Sequence, residues 1–198
     1  MNTFTAIDLE IEDYIPKMLE EVLALQDGWY FNDFRNCEII RLHDGKNNDW
    51  NEYGYKCPVL QQVVEENVFK WMDPIGKVNI LKTKPNDPLH IHLDTKPEEI
   101  GTLQDKFRIV LNGSIEELFF VGAEGEKVRI PPHYNQYILD GSHPHGLYPS
   151  AIEKITLCIG SPWNGKRTRA YEDMLHFHTL FSMKVQRPQI KNEWSEYD

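Results

Sequence analysis

Pro88-Leu89-His90-Ile91-His92-Leu93-Asp94-Thr95 sets two imidazoles and a carboxylate at every second position, with Leu89, Ile91 and Leu93 between them. Alternate side chains of a β-strand point to the same face, so a strand here projects His90, His92 and Asp94 to one side. The three apolar residues then pack behind. Imidazole beside carboxylate is a donor set for a first-row transition metal rather than for Mg²⁺ or Ca²⁺. A His-x-Asp triplet arises often by chance, so its weight rests on what surrounds it.

Upstream of this stretch the chain reads as helix and strand. Ile15, Met18, Leu19, Val22 and Leu25 fall at helical spacing, which predicts an amphipathic helix over residues 13–25 with Asp13 as N-cap and Pro16 in the first turn. Trp29 to Phe34 is aromatic and is expected to pack on the main sheet, and Cys37 to Leu42 reads as a strand. The polar run from His43 to Tyr55 reads as a solvated loop, with Trp50, Tyr53 and Tyr55 as possible substrate contacts. Leu60, Val63, Val64 and Val68 predict a second helix over 59–71, ended by Asp73-Pro74-Ile75-Gly76.

Beyond it the texture changes to short strands divided by turns: 77–84, 89–94, 107–111, 118–121, 128–130, 136–139 and 154–160, with a turn at Asn112-Gly113. Tyr171 to Met183 again has helical spacing and is expected to cap the barrel or form a dimer contact, before a polar tail over 191–198. The expectation is one mainly β domain with flanking helices, a jelly-roll or cupin-like barrel. Residues 1–76 form a helical and strand support, 77–163 the core, and 164–198 a helix and tail.

Composition narrows the function. With 40% hydrophobic and 12% aromatic residues in 198, the chain can bury a sizeable core. A net charge of −10 argues against nucleic acid and anionic membrane as partners, since both require basic surface. No apolar run approaches the roughly 20 residues of a spanning helix, and no basic-then-apolar leader opens the chain. Three sparse cysteines, Cys37, Cys57 and Cys158, fit a reducing cytoplasm and offer no Cys-x-x-Cys zinc pair.

A second cluster, Asp140-Gly141-Ser142-His143-Pro144-His145-Gly146, offers a further imidazole some fifty residues after Asp94. Nine residues later Lys154 opens an apolar strand, and Lys106 and Arg108 stand on another. Two histidines and one carboxylate leave about three octahedral positions open, the arrangement non-haem Fe(II) uses for O₂ and a bidentate cosubstrate. A cation deeper in the barrel would pair with that cosubstrate's far carboxylate.

Val78 to Pro85 followed by His92-Leu93-Asp94 resembles the strand-turn-HxD segment of the aspartyl/asparaginyl β-hydroxylase-like family, which includes bacterial proline hydroxylases. Residues 105–113, 118–121, 139–147 and 154–159 resemble its following strands in the same order. The resemblance covers residues 77–160 well and the N-terminal part loosely. It implies a double-stranded β-helix core that couples Fe(II), 2-oxoglutarate and O₂ to hydroxylation of an amino acid or peptidyl side chain. It also implies His92, Asp94 and His145 as iron ligands, with Pro144-His145 fitting the family pattern better than His143.

Lys154 stands where the family has an Arg for the 2-oxoglutarate C5 carboxylate, keeping the charge but losing the bidentate fork. Lys106-x-Arg108 stands where the family has Arg-x-His, which puts Arg108 at the cosubstrate's other end. Two other readings compete. His90, His92, Glu98 and His133 loosely resemble two cupin motifs, which imply a metalloprotein without 2-oxoglutarate. The Lys154 and Arg108 departures would also suit a barrel that binds a ligand without catalysis. Ser142, Tyr137 and His133 are candidate pocket residues; His176 and His178 read as non-ligands.

Overall fold

Along Lys154–Gly160, Ile155, Leu157 and Ile159 join an apolar core, while Lys154, Thr156 and Cys158 line a cavity on the other side. A strand covered on both faces must be apolar almost throughout, and this two-sided burial organises the molecule. The computed structural model describes residues 2–45, 49–72, 75–94, 105–160 and 168–189.

The first half of the chain runs β1 (Phe4–Ile7), α1 (Ile15–Leu23), β2 (Tyr30–Asn32), β3 (Cys37–His43), α2 (Pro58–Asn67) and β4 (Val78–Thr83). The second half runs β5 (Leu89–His92), β6 (Asp105–Asn112), β7 (Leu118–Val121), β8 (Lys127–Arg129), β9 (Gln136–Asp140), β10 (His145–Leu147), β11 (Lys154–Gly160), α3 (Arg169–His178) and β12 (Thr179–Met183). Among the described residues the strands form a large sheet, β12-β1-β9-β6-β11-β4-β3-β2, and a small one, β5-β10-β7-β8. Every pairing is antiparallel. The two sheets share the cavity, whose walls come from Leu89, His92, His145 and Leu147 on one side and Leu81, Arg108, Tyr137 and Lys154 on the other. This is a mainly β, double-stranded β-helix architecture.

The far face of the large sheet is covered by helices. Met18 and Val22 of α1 and Leu60, Val63 and Val64 of α2 pack with Ile40, Ile80, Phe107 and Leu157. Glu21 of α1 joins the two helices: its carboxylate oxygens accept the N–H groups of Val59 and Leu60, each at 3.0 Å. These are donors that the first turn of α2 cannot satisfy internally, and the negative charge suits a helix N-terminus.

Four sequence expectations change here. Asp13 lies in a 3-10 turn (Glu12–Tyr14), and α1 begins at Ile15 after Tyr14, with no side-chain cap. The aromatic stretch forms the edge strand β2, where Trp29 is partly buried but Tyr30 and Phe31 are exposed. In the polar run, Trp50 is buried core, meeting the His43 ring edge to face and donating to Glu65 at 2.7 Å, rather than a substrate contact. The expected C-terminal helix stops at His178, and Thr179–Met183 pairs with β1 instead. There Phe181 stacks on Tyr134, ring centroids 5.8 Å apart, and edge pairing overrides helical spacing. The helix terminator at 73–74 and the tail at 191–198 lie outside the described residues.

Strands outside 77–163 thus complete the large sheet, and α3 docks on it through Tyr171 and Met174. The fully buried Tyr171 donates its hydroxyl hydrogen to Asp105 Oδ2 at 2.5 Å. Tyr171→Phe is expected to destabilise the fold by about 1–3 kcal/mol, the cost of weakening a buried bond to a carboxylate, in urea unfolding with an unchanged m-value.

Candidate metal centre

His92 closes β5, His145 opens β10, and antiparallel pairing sets them directly opposite each other. Cross-strand partners share a face, and the two imidazole centroids lie 4.5 Å apart, pointing between the sheets. Each ring is oriented in the same way. His92 Nδ1 donates to the carbonyl of His90 and His145 Nδ1 to that of His143, both at 2.8 Å. With Nδ1 carrying the proton, each Nε2 keeps its lone pair for a metal.

Asp94 stands two residues beyond β5 and completes the set. Its N–H donates to the Gly141 carbonyl at 2.7 Å, tying it to the loop that leads to His145. A Cβ at Gly141 would lie 2.9 Å from Asp94 Cβ, so a residue without a side chain is needed for this approach. The Asp94 carboxylate lies 3.5 Å from His92 Nε2 and 3.7 Å from His145 Nε2. One donor atom from each of the three residues lies within 4.8 Å of the others. Among the described residues this is the one such cluster of three, and its two imidazoles and one carboxylate suit iron(II).

Two guanidinium groups hold Asp94. Arg108 on β6 bonds Oδ2, and Arg35, from the turn between β2 and β3, lies 3.1 Å from Oδ1. Burial pushes the Asp94 carboxyl up, but Arg108 and then Arg35 outweigh it and hold the group well below the usual carboxylate range. A carboxylate has about four acceptor positions, so each oxygen keeps room for a metal beside its arginine. For His145, burial and then the neighbouring His92 push the imidazole down to about 3, leaving it neutral.

Lys154 lines the same cavity as His92, His145 and Arg108. Cys158 on β11 sits opposite Arg108, and Lys154 lies four residues, roughly 13 Å, further along that strand. Burial lowers the Lys154 pKa, against Glu117, which raises it.

The other candidates have different partners. His90 is exposed and its Nδ1 bonds the Phe34 carbonyl at 2.9 Å. Its N–H donates to the Arg35 carbonyl at 3.1 Å, and Asn36 Nδ2 donates to the Pro88 carbonyl at 2.9 Å. His90 thus ties the hairpin turn that carries Arg35 to the ligand strand. The His143 ring turns to the Val121 carbonyl, 2.8 Å away. Ser142 donates to Asp140 Oδ1 at 2.6 Å and shapes the ligand loop, whereas Tyr137 does line the cavity. His133 is exposed beside Tyr134 and the His90 ring is turned to Phe34, so among the described residues the cupin-type set is not assembled; Glu98 lies outside them. His178 bonds the Asp8 carbonyl at 2.6 Å. Arg35 was not singled out from the sequence; its one signal was a cation in a turn flanked by the aromatic residues Tyr30, Phe31 and Phe34.

No family model and no curated protein sequence matches the chain. Solved structures do. A prolyl hydroxylase from Trichoplax adhaerens, in complex with a hypoxia inducible factor oxygen degradation domain peptide fragment, superposes with a TM-score of 0.58. The two share 15% identity over 81% of this chain and 84% of that one. A Pseudomonas putida prolyl-4-hydroxylase gives 0.53 at 15% identity, over 85% and 94% of the two chains. A 2OG-Fe(II) oxygenase family oxidoreductase from Burkholderia pseudomallei gives 0.50 at 17%, over 75% and 80%. The fold is that of the 2OG-Fe(II) oxygenases. At these identities the likeness establishes the fold alone. It does not single out the aspartyl/asparaginyl β-hydroxylase-like family among 2OG-Fe(II) oxygenases; that narrower resemblance rests on the motifs in the chain.

Separate alanine substitutions at His92, Asp94 and His145 should each weaken Fe(II) binding at least about 10-fold, on the order of one lost ligand, whereas His90→Ala, His133→Ala and His143→Ala should retain it. Titration with Fe(II) or Co(II) by calorimetry checks this. Protonation gives a second expectation. The His145 imidazole titrates at about 3 when folded against 6.5 as a model group, so between these values the unfolded chain binds a proton that the folded chain does not. Metal-free stability should therefore fall as pH drops below 6.5, with His145 contributing up to about 1.4 kcal/mol per pH unit. Urea unfolding at a series of pH values should show a shallower slope for His145→Asn.

Proposed function

We propose that this protein is an Fe(II)- and 2-oxoglutarate-dependent dioxygenase that hydroxylates an amino acid or a peptidyl side chain. The observation that carries the reading is the cross-strand pair His92 and His145, completed by Asp94, in a cavity whose wall also presents Lys154. His92, Asp94 and His145 would hold the iron. Lys154 would pair with the C5 carboxylate of 2-oxoglutarate, since it lines the same cavity as His92 and His145. Bound there, iron and cosubstrate would supply O₂ activation, with 2-oxoglutarate taking one oxygen atom as it is converted to succinate and CO₂, and the other placed on a substrate C–H bond as hydroxyl.

The chain's own residues do the rest. Arg108 and Arg35 keep Asp94 ionised and oriented, and Arg108 also lines the cavity at the metal's side. Leu89, Leu118, Leu139 and Leu147 give the cavity an apolar lining that limits water beside the reacting centre. The motif order shared with aspartyl/asparaginyl β-hydroxylase-like proteins and the likeness to prolyl hydroxylases both support a side-chain hydroxylation. The net charge of −10 supports a small-molecule or peptidyl partner over nucleic acid, and three buried free cysteines support a cytoplasmic setting.

Anaerobic addition of 2-oxoglutarate to the Fe(II)-loaded protein should raise a visible metal-to-ligand charge-transfer band, and succinate should form under air. Lys154→Ala should weaken 2-oxoglutarate binding about 10- to 100-fold, the weight of one charge-assisted hydrogen bond, with Fe(II) affinity retained. Fe(II) binding with no band and no succinate would instead mark the protein as a metal-binding barrel without this activity.

A further inference from the structure

Lys154 is engaged from the side away from the cavity. Its Nζ donates to the Ser114 carbonyl and lies 3.1 Å from Glu117 Oε2. The side chains of both partners in this ion pair are nearly buried, at 4% and 11% exposure. Glu117 belongs to the connection between β6 and β7, which is firmly held: Gly113 turns it with a φ of +97°, Asn112 Nδ2 donates to the Glu153 carbonyl, and Tyr148 N–H donates to the Glu117 carbonyl at 2.9 Å. Lys154 lines the cavity, whereas Glu117 is not among its lining residues. The carboxylate thus stands behind the ammonium as a fixed counter-charge.

An ammonium has three donor positions, and Ser114 and Glu117 take two, which leaves one for the cavity. Without Glu117 the empty cavity would hold an uncompensated buried cation, which is costly. With Glu117 in place, an incoming carboxylate meets a cation already half neutralised and a like charge just beyond it. The same group therefore stabilises the empty protein and weakens the hold on a dicarboxylate.

We propose that Glu117 is a specificity-determining positioning residue that fixes Lys154 in the cavity wall and lowers the affinity for 2-oxoglutarate. The proposal rests on the cosubstrate reading above. It concerns only the remote end of the ligand, so a keto acid of the same length lacking the second carboxylate, 2-oxovalerate, is insensitive to Glu117.

The test measures anaerobic binding of 2-oxoglutarate and of 2-oxovalerate to Fe(II)-loaded wild type, Glu117→Gln and Glu117→Asp through the charge-transfer band, with thermal melting of each protein before ligand addition. Glu117→Gln keeps shape and hydrogen bonding but removes the charge. It should raise the preference for 2-oxoglutarate over 2-oxovalerate about tenfold, on the scale of one like charge removed from a buried site. It should also lower the melting temperature of the ligand-free protein and enlarge the upward shift that 2-oxoglutarate produces. Glu117→Asp should keep a preference close to wild type. A merely structural role would lower stability and weaken both keto acids together; that result, or an unchanged preference, overturns the proposal. If Fe(II) binds but neither keto acid gives a band in wild type, the cosubstrate reading itself fails and this inference falls with it, an outcome distinct from bands whose ratio does not move.

Discussion

The antiparallel pairing of β5 with β10 is the constraint on which the site depends. It sets His92 opposite His145, and in both the Nδ1 hydrogen bonds to a carbonyl two residues earlier. The two Nε2 atoms therefore converge through backbone geometry rather than through loosely held side chains. Asp94 is placed by the same device, since its N–H is bonded to Gly141 in the strand-to-strand loop that precedes His145. A slip of one residue in this register would turn one histidine to the opposite face.

The large sheet gives that pairing something to face. Its strands are covered by helices on one side and by the small sheet on the other, so they must be apolar almost throughout. Where they are not, the departures are informative. Arg108 and Lys154 are buried cations on strands that otherwise carry a core, and each has an anionic partner: Asp94 for Arg108 and Glu117 for Lys154. Burying a charge without a partner is costly, so each cation implies an anion that has to be located before its function is assigned.

The charge arrangement around Asp94 also unites parts of the chain that are far apart in sequence. Arg35 comes from an N-terminal hairpin, Arg108 from the middle of the large sheet, and Asp94 from the ligand strand. His90, which looked like a third ligand in the alternating pattern, secures the hairpin by bonding Phe34 through its ring and Arg35 through its backbone. Its task is structural, yet it holds the turn from which Arg35 reaches the carboxylate.

Much of this was legible in the chain. Period-two alternation and turn residues marked seven strands between Lys77 and Gly160, and helical spacing located α1 and α2, because burial on one or two faces leaves a local pattern. His-x-Asp with a histidine some fifty residues later, together with a lysine nine residues beyond that, was readable as a metal and anion constellation. Other features were not readable. The short strands β1, β2, β10 and β12 exist because neighbours supply hydrogen bonds, at the edges of the large sheet for β2 and β12, between β12 and β9 for β1, and inside the small sheet for β10. So the helical spacing of residues 171–183 yields to pairing with β1 after His178. The choice among His90, His143 and His145 depended on which carbonyl each ring nitrogen met. The counter-charges Arg35 and Glu117 belong to distant segments with no spacing relation to the motif. Sequence by itself determined the kinds of groups and the order of strands that carry them; only the tertiary structure decided which groups face one cavity, because long-range pairing sets direction and distance.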